Sequence, residues 1–191
     1  MSEPFNLTET LGEGWCVTVA PLPAEETLRR MGVARPRELP DAVRLVAERL
    51  STPRSGDRSV LLLAKRLTPR WTIALELEAT TGWVGLDHAV LSGLSAADGL
   101  ACSVRSDPNQ VTATFAVGGQ VNATLDLITG RTWGTPPASV VAVFGDGGPR
   151  SRTDLTFSQR ATVVLEAMTG ATIDAAVVLD DPWEGGLTGG A

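Results

Sequence analysis

Two runs of strict alternation meet at a pair of glycines, and this feature limits the fold more than any other. Val111, Ala113, Phe115 and Val117 alternate with Thr112 and Thr114; after Gly118-Gly119, Val121, Ala123, Leu125 and Leu127 alternate with Asn122, Thr124 and Asp126. A period of two puts one set of side chains on one face of a strand and the other set on the opposite face. Two consecutive glycines tolerate the positive φ angles of a tight hairpin turn. Leu100 to Val104 adds a strand before the pair, with Asp107-Pro108-Asn109 as its turn. The result is an antiparallel meander, with Val111, Ala113, Phe115, Val117, Val121, Ala123, Leu125 and Leu127 as its core face.

The other segments supply further strands and several helices. Gly14 to Ala20 is β-branched and aromatic, and Pro21 ends it. Pro23 then opens a helix with Ala24, Leu28 and Met31 on one face and Gly32 at its end. Glu25 and Glu26 in its first turn and Arg29 and Arg30 in its last suit the helix dipole. Asp41 can cap a second helix, Val60 to Leu67 and Trp71 to Ala79 read as strands, and Asp87 can cap a short helix holding Val90, Leu91 and Leu94. Thr156 and Gln159 form a capping-box pattern ahead of Ala161, Val164, Leu165 and Met168, and Gly170 closes that helix. The expected fold is α+β, a mainly antiparallel sheet of about six strands with helices packed on one face. The 191 residues fit one globular domain over 1–184, with 35–59 as a candidate insertion and 185–191 as a flexible C-terminal tail.

Charge and cysteine usage exclude several function classes. The chain holds 16 basic and 22 acidic residues, a net charge of −6. Residues 29–70 carry 11 basic and 4 acidic side chains, so the remainder stands at −13. Those arginines fall largely on helices whose other face is apolar, and they are interrupted by Glu38, Asp41, Glu48 and Asp57. No aromatic residue interleaves with them until Trp71, which is expected to leave nucleic acid unbound. The first 15 residues carry Glu3, Glu9 and Glu13 and no basic residue, the reverse of an export signal. The longest apolar run, Val60 to Ala64, is far too short to span a bilayer. Cys16 and Cys102, far apart and both within strand patterns, read as buried free thiols of a cytoplasmic protein.

The block Gly14-Trp15-Cys16-Val17-Thr18-Val19 and the following Pro23-Ala24-Glu25-Glu26-Thr27-Leu28-Arg29-Arg30-Met31-Gly32 resemble the opening of an actinobacterial domain family of unknown function. The Glu76/Glu78 strand leading to Gly82-Trp83-Val84-Gly85 and the segment Leu165-Glu166-Ala167-Met168-Thr169-Gly170 agree with that pattern. The resemblance spans nearly the whole chain. Its motifs are structural, so it implies no catalytic site.

No catalytic constellation stands out. His88 is the one histidine, and no nucleophile elbow accompanies it. Gly145-Asp146-Gly147-Gly148 lacks both the phosphate-loop spacing and the calcium-ligand ladder, so no cofactor or metal is expected. Five tryptophans are more informative. Trp15 and Trp71 belong to strands, whereas Trp83, Trp133 and Trp183 adjoin Gly- or Pro-rich turns and are expected to be partly exposed. Exposed tryptophan is typical of interaction hot spots. The reading is therefore a non-enzymatic intracellular module that binds a protein partner, such as an immunity-type or regulatory accessory protein. Its alternative is a small hydrolase or small-ligand enzyme using Glu76, Glu78, Asp87 and His88. In it Glu76 and Glu78, about 7 Å apart on one solvent-facing strand face, would act as paired carboxylates.

Overall fold

The alternating residues of the meander form long adjacent strands, and the rest of the chain builds outward from them. The computed structural model describes residues 3–51, 59–77, 83–96, 99–180 and 182–189. In chain order the elements are α1 (Leu7–Leu11), β1 (Trp15–Ala20), α2 (Ala24–Arg30), β2 (Arg37–Leu39), α3 (Ala42–Ser51), β3 (Leu61–Arg66) and β4 (Thr72–Glu76). There follow a 3-10 turn (Val84–Leu86), α4 (His88–Leu94), β5 (Leu100–Asp107), β6 (Gln110–Val117), β7 (Gln120–Asp126) and β8 (Thr132–Gly134). The chain closes with α5 (Ala138–Phe144), α6 (Gly148–Ser151), α7 (Phe157–Thr169), α8 (Ala175–Leu179) and β9 (Trp183–Leu187).

The strands make one open antiparallel sheet in the order β2-β9-β3-β4-β1-β5-β6-β7-β8. The described residues hold nine strands where about six were expected; β2, β8 and β9 are the additions. The segment from 185 on is not a tail at its start. Gly185, Gly186 and Leu187 pair with Leu63, Leu62 and Leu61, so β9 lies between β2 and β3. Its glycine composition hides it from a propensity reading, because glycine is depleted in strands. Here glycine is required by close approach: a Cβ on Gly185 would stand 2.6 Å from Leu39 Cδ1 and 2.7 Å from the Leu62 carbonyl oxygen.

Helices cover both faces of the sheet, not one. On the first face Trp15, Val17, Val19, Ile73, Leu75, Val104 and Phe115 join a core that includes Ala161, Val164, Leu165 and Met168 of α7. On the second, Ala20, Ala74, Ala101 and Ala116 meet Ala24, Leu28 and Met31 of α2 and Leu91 and Leu94 of α4. The small alanines let these short helices approach closely. β1, at the centre, is buried along its whole length, which is why its sequence shows no alternation.

The core face of the meander follows the expected register for Val111, Ala113 and Phe115, all buried. A bulge then intervenes between Phe115 and Ala116, so that Phe115 pairs with Ala123 but Ala116 with Val121. One extra residue on β7 turns its preceding side chains to the other face. Val121 therefore packs against the second core; Val117, the last residue of β6, keeps the face of Phe115 but is 43% exposed at the strand end.

The terminal long helix begins at the capping box of Thr156 and Gln159 and ends at Gly170, as its sequence predicts. No helix of the described residues is long and apolar enough to cross a membrane. Cys16 and Cys102 are free and buried.

Candidate functional site

Glu76 closes β4 on the second face of the sheet, with Cys16 of β1 as its register partner. The strand was expected to show Glu76 to solvent, but its residue is 1% exposed. The 3-10 turn covers it: Glu76 Oε1 accepts the Val84 N–H at 2.7 Å and Oε2 accepts the Gly85 N–H at 3.2 Å. Burial outweighs those two donors and pushes the carboxyl up to about 7. Burial likewise raises the Cys16 thiol, helped by the Glu76 charge, and raises Cys102. Neither cysteine has the low-pKa, accessible setting of a nucleophile.

The other members of that set are used locally. Asp87 Oδ1 accepts the Ala89 N–H at 2.7 Å and the Val90 N–H at 3.3 Å, so Asp87 caps α4 as expected. His88 is the first residue of α4 and is exposed. Glu78 lies outside the described residues. Glu76 is thus turned under a backbone loop while Asp87 and His88 stand outside it. A general acid or base must reach the proton it transfers, and the two described carboxylates are each occupied by backbone N–H groups.

The tryptophans separate clearly. Trp83 is 9% exposed, just ahead of the 3-10 turn, and Trp183 is fully buried in β9. Lys65 Nζ stands 4.4 Å from the centre of the Trp183 ring, a cation–π contact. The expectation of partial exposure is therefore corrected for Trp183 and for Trp83. Their glycine and proline neighbours belong to a strand and a packed turn, not to exposed loops. The Trp183 indole N–H has no hydrogen-bond partner among the described residues.

Trp133 is different. It is 57% exposed and sits in the middle of β8, the last strand of the sheet. Thr132, Trp133 and Gly134 pair with Leu125, Thr124 and Ala123 of β7, and the opposite edge of β8 has no neighbouring strand among the described residues. Pro136-Pro137 then leads into α5, where Val140 and Phe144 are buried while Val141 and Val143 are 52% and 39% exposed.

Compared with known protein families, curated proteins and solved structures, the chain matches none of them.

From Thr132 to Gly145 the sequence has no charged side chain, and most of these residues are exposed. Open edges are normally guarded by charge, proline or a covering element, because unpaired backbone groups recruit other strands. Here prolines stop the edge at one end, but β8 itself carries threonine, tryptophan and glycine. Val141 and Val143 were not singled out by sequence; the uncharged run of 14 residues was the available signal. Among the described residues no group of three or more His, Cys, Asp or Glu side chains is placed to hold a metal ion.

Proposed function

We propose that the protein is a cytoplasmic, non-catalytic interaction module that takes a protein partner along the β8 edge, with Trp133 as the anchoring side chain. The observation that carries this reading is a 57% exposed tryptophan in the middle of the sheet's last strand. Backbone N–H and C=O groups on such an edge can accept an extended segment, while a flanking aromatic supplies apolar contact area. Val141 and Val143 of α5, further along the same uncharged stretch, are exposed as well. The matching partner segment is extended, uncharged and apolar. Nucleic acid fits poorly, since Arg131 is the one charged residue from Leu127 to Gly145 and phosphate contacts need cations. Buried free thiols suit a reducing compartment.

The family that the chain resembles is part of the same proposal. The residues of that resemblance fall in β1, α2, β4, the 3-10 turn and α7, which build the scaffold rather than the edge. A photo-crosslinking residue at position 133, in the native cells, tests the reading. The expected product is one defined protein adduct, absent when the probe is moved to position 29 on α2. Adducts of equal yield from both positions contradict it.

A further inference from the structure

At the other end of the sheet the strands leave a notch. Ala64 of β3 pairs with Glu184 of β9, but Lys65 and Arg66 run on past the start of β9 and pair with Ile73 and Thr72 of β4. The gap forms a cavity of about 540 Å³, within the range of small-molecule sites. Its charged lining has two signs. Glu38 of β2 stands directly opposite Glu184 of β9 in the strand pairing, and both line the cavity together with Lys65 and Arg66. Leu67, Val177 and Pro182 supply an apolar wall.

This arrangement carries a cost that a ligand would relieve. Like charges directly opposite on neighbouring strands destabilise the pair, and neither Glu38 nor Glu184 has an ion-pair partner among the described residues. Burial, with the charges of Glu25 and Glu38, lifts the Glu184 carboxyl above its ordinary range. An ammonium group placed between the two carboxylates would offset that repulsion. Across the notch, the Arg66 guanidinium makes one long hydrogen bond among the described residues, 3.4 Å to the Leu22 carbonyl. Its planar fork is the geometry that recognises a carboxylate. Lys65, whose Nζ donates to the Asp180 carbonyl at 2.6 Å, adds positive potential beside it.

We infer that this cavity binds a small zwitterion of the amino-acid class: its ammonium at Glu38 and Glu184, its carboxylate at Arg66, and its side chain against Leu67 and Val177. The site is separate from the β8 edge, and its failure would leave the proposed partner surface untouched. The test is saturation-transfer NMR and calorimetry on the full chain with L-leucine, L-leucinamide and 4-methylpentanoate, which differ in the charges they carry. Leucine is expected to bind, and removal of either charge to weaken binding by about tenfold or more, the worth of one charge-assisted hydrogen bond. Glu184→Gln should abolish the preference for leucine over 4-methylpentanoate and keep its preference over leucinamide; Arg66→Gln should do the reverse. Should either variant fail to fold, the three ligands on the unmodified protein still decide. Equal binding of the three, or no signal from leucine at about 10 mM, where even a Kd of 1 mM would give near-saturation, overturns the inference.

Discussion

Glu76 and Gly85 fix one another's positions. The carboxylate accepts the Gly85 N–H at 3.2 Å, and Gly85 in turn lies against β1 and β5, where a Cβ would run into Thr18 Oγ1 and stand 3.1 Å from both Cys16 Sγ and Ser103 Oγ. A buried acid and a residue without a side chain together pin the turn that starts α4.

The first consequence is a pH dependence. The Glu76 carboxyl titrates near 7 in the folded protein against an ordinary value of 4.5. The folded state therefore binds more protons than the unfolded state between those values, and stability falls as pH rises from about 4.5 to about 7, then levels off. The span corresponds to an effect on the order of 3 kcal/mol at 1.36 kcal/mol per unit. Urea titrations of wild type and Glu76→Gln at pH 5 and pH 8 measure it. The wild type should lose more stability than the variant across this interval; parallel curves would contradict the assignment.

Gly85→Ala should destabilise the fold by about 1–3 kcal/mol through overpacking. Thr18 Oγ1 and Ser103 Oγ lie 2.8 Å apart, so the neighbour that must yield is itself hydrogen-bonded. Adding Thr18→Ala removes the closest obstacle, and thermal melts of the double variant should show a cost below the sum of the two singles.

Trp183 separates packing from hydrogen bonding. Trp183→Ala empties a fully buried site and should cost about 3–5 kcal/mol. Trp183→Phe keeps most of the apolar ring and removes an indole N–H that has no partner among the described residues. Its cost should be about 1 kcal/mol or less, because leaving a buried donor unsatisfied is itself unfavourable. Equal losses for the two variants, read by urea denaturation, would contradict this account.

The meander shows how far the sequence could be read. Phe115→Ala should cost about 3–5 kcal/mol, whereas Val117→Ala, two positions along the same alternation, should cost under about 0.5 kcal/mol. Alternation places Phe115 in the core correctly, but it does not show that Val117 ends its strand in solvent, and the bulge that turns Val121 to the other face has no local signature in residue type. β9 was hidden for a related reason: its two central glycines are dictated by Leu39 and Leu62 next to them, which only tertiary structure brings close. Glu76 followed the same logic. Its strand position was legible, but the turn that buries it comes from eight residues later in the chain. The helix caps at Asp87 and Thr156 were legible because capping is local. Of the three tryptophans expected near the surface, Trp133 alone lies there, on a strand too short for its pattern to be seen.

The central claim rests on Trp133, and one titration tests it most directly. The protein captured at position 133 is purified, and its affinity is measured by calorimetry for wild type and Trp133→Ala. A truncated hot-spot tryptophan costs at least about 2 kcal/mol, so affinity should fall about 30-fold or more. The melting temperature of the variant should stay within about a degree of wild type, since the side chain is 57% exposed. Undiminished affinity of the partner for Trp133→Ala would contradict the edge-binding account.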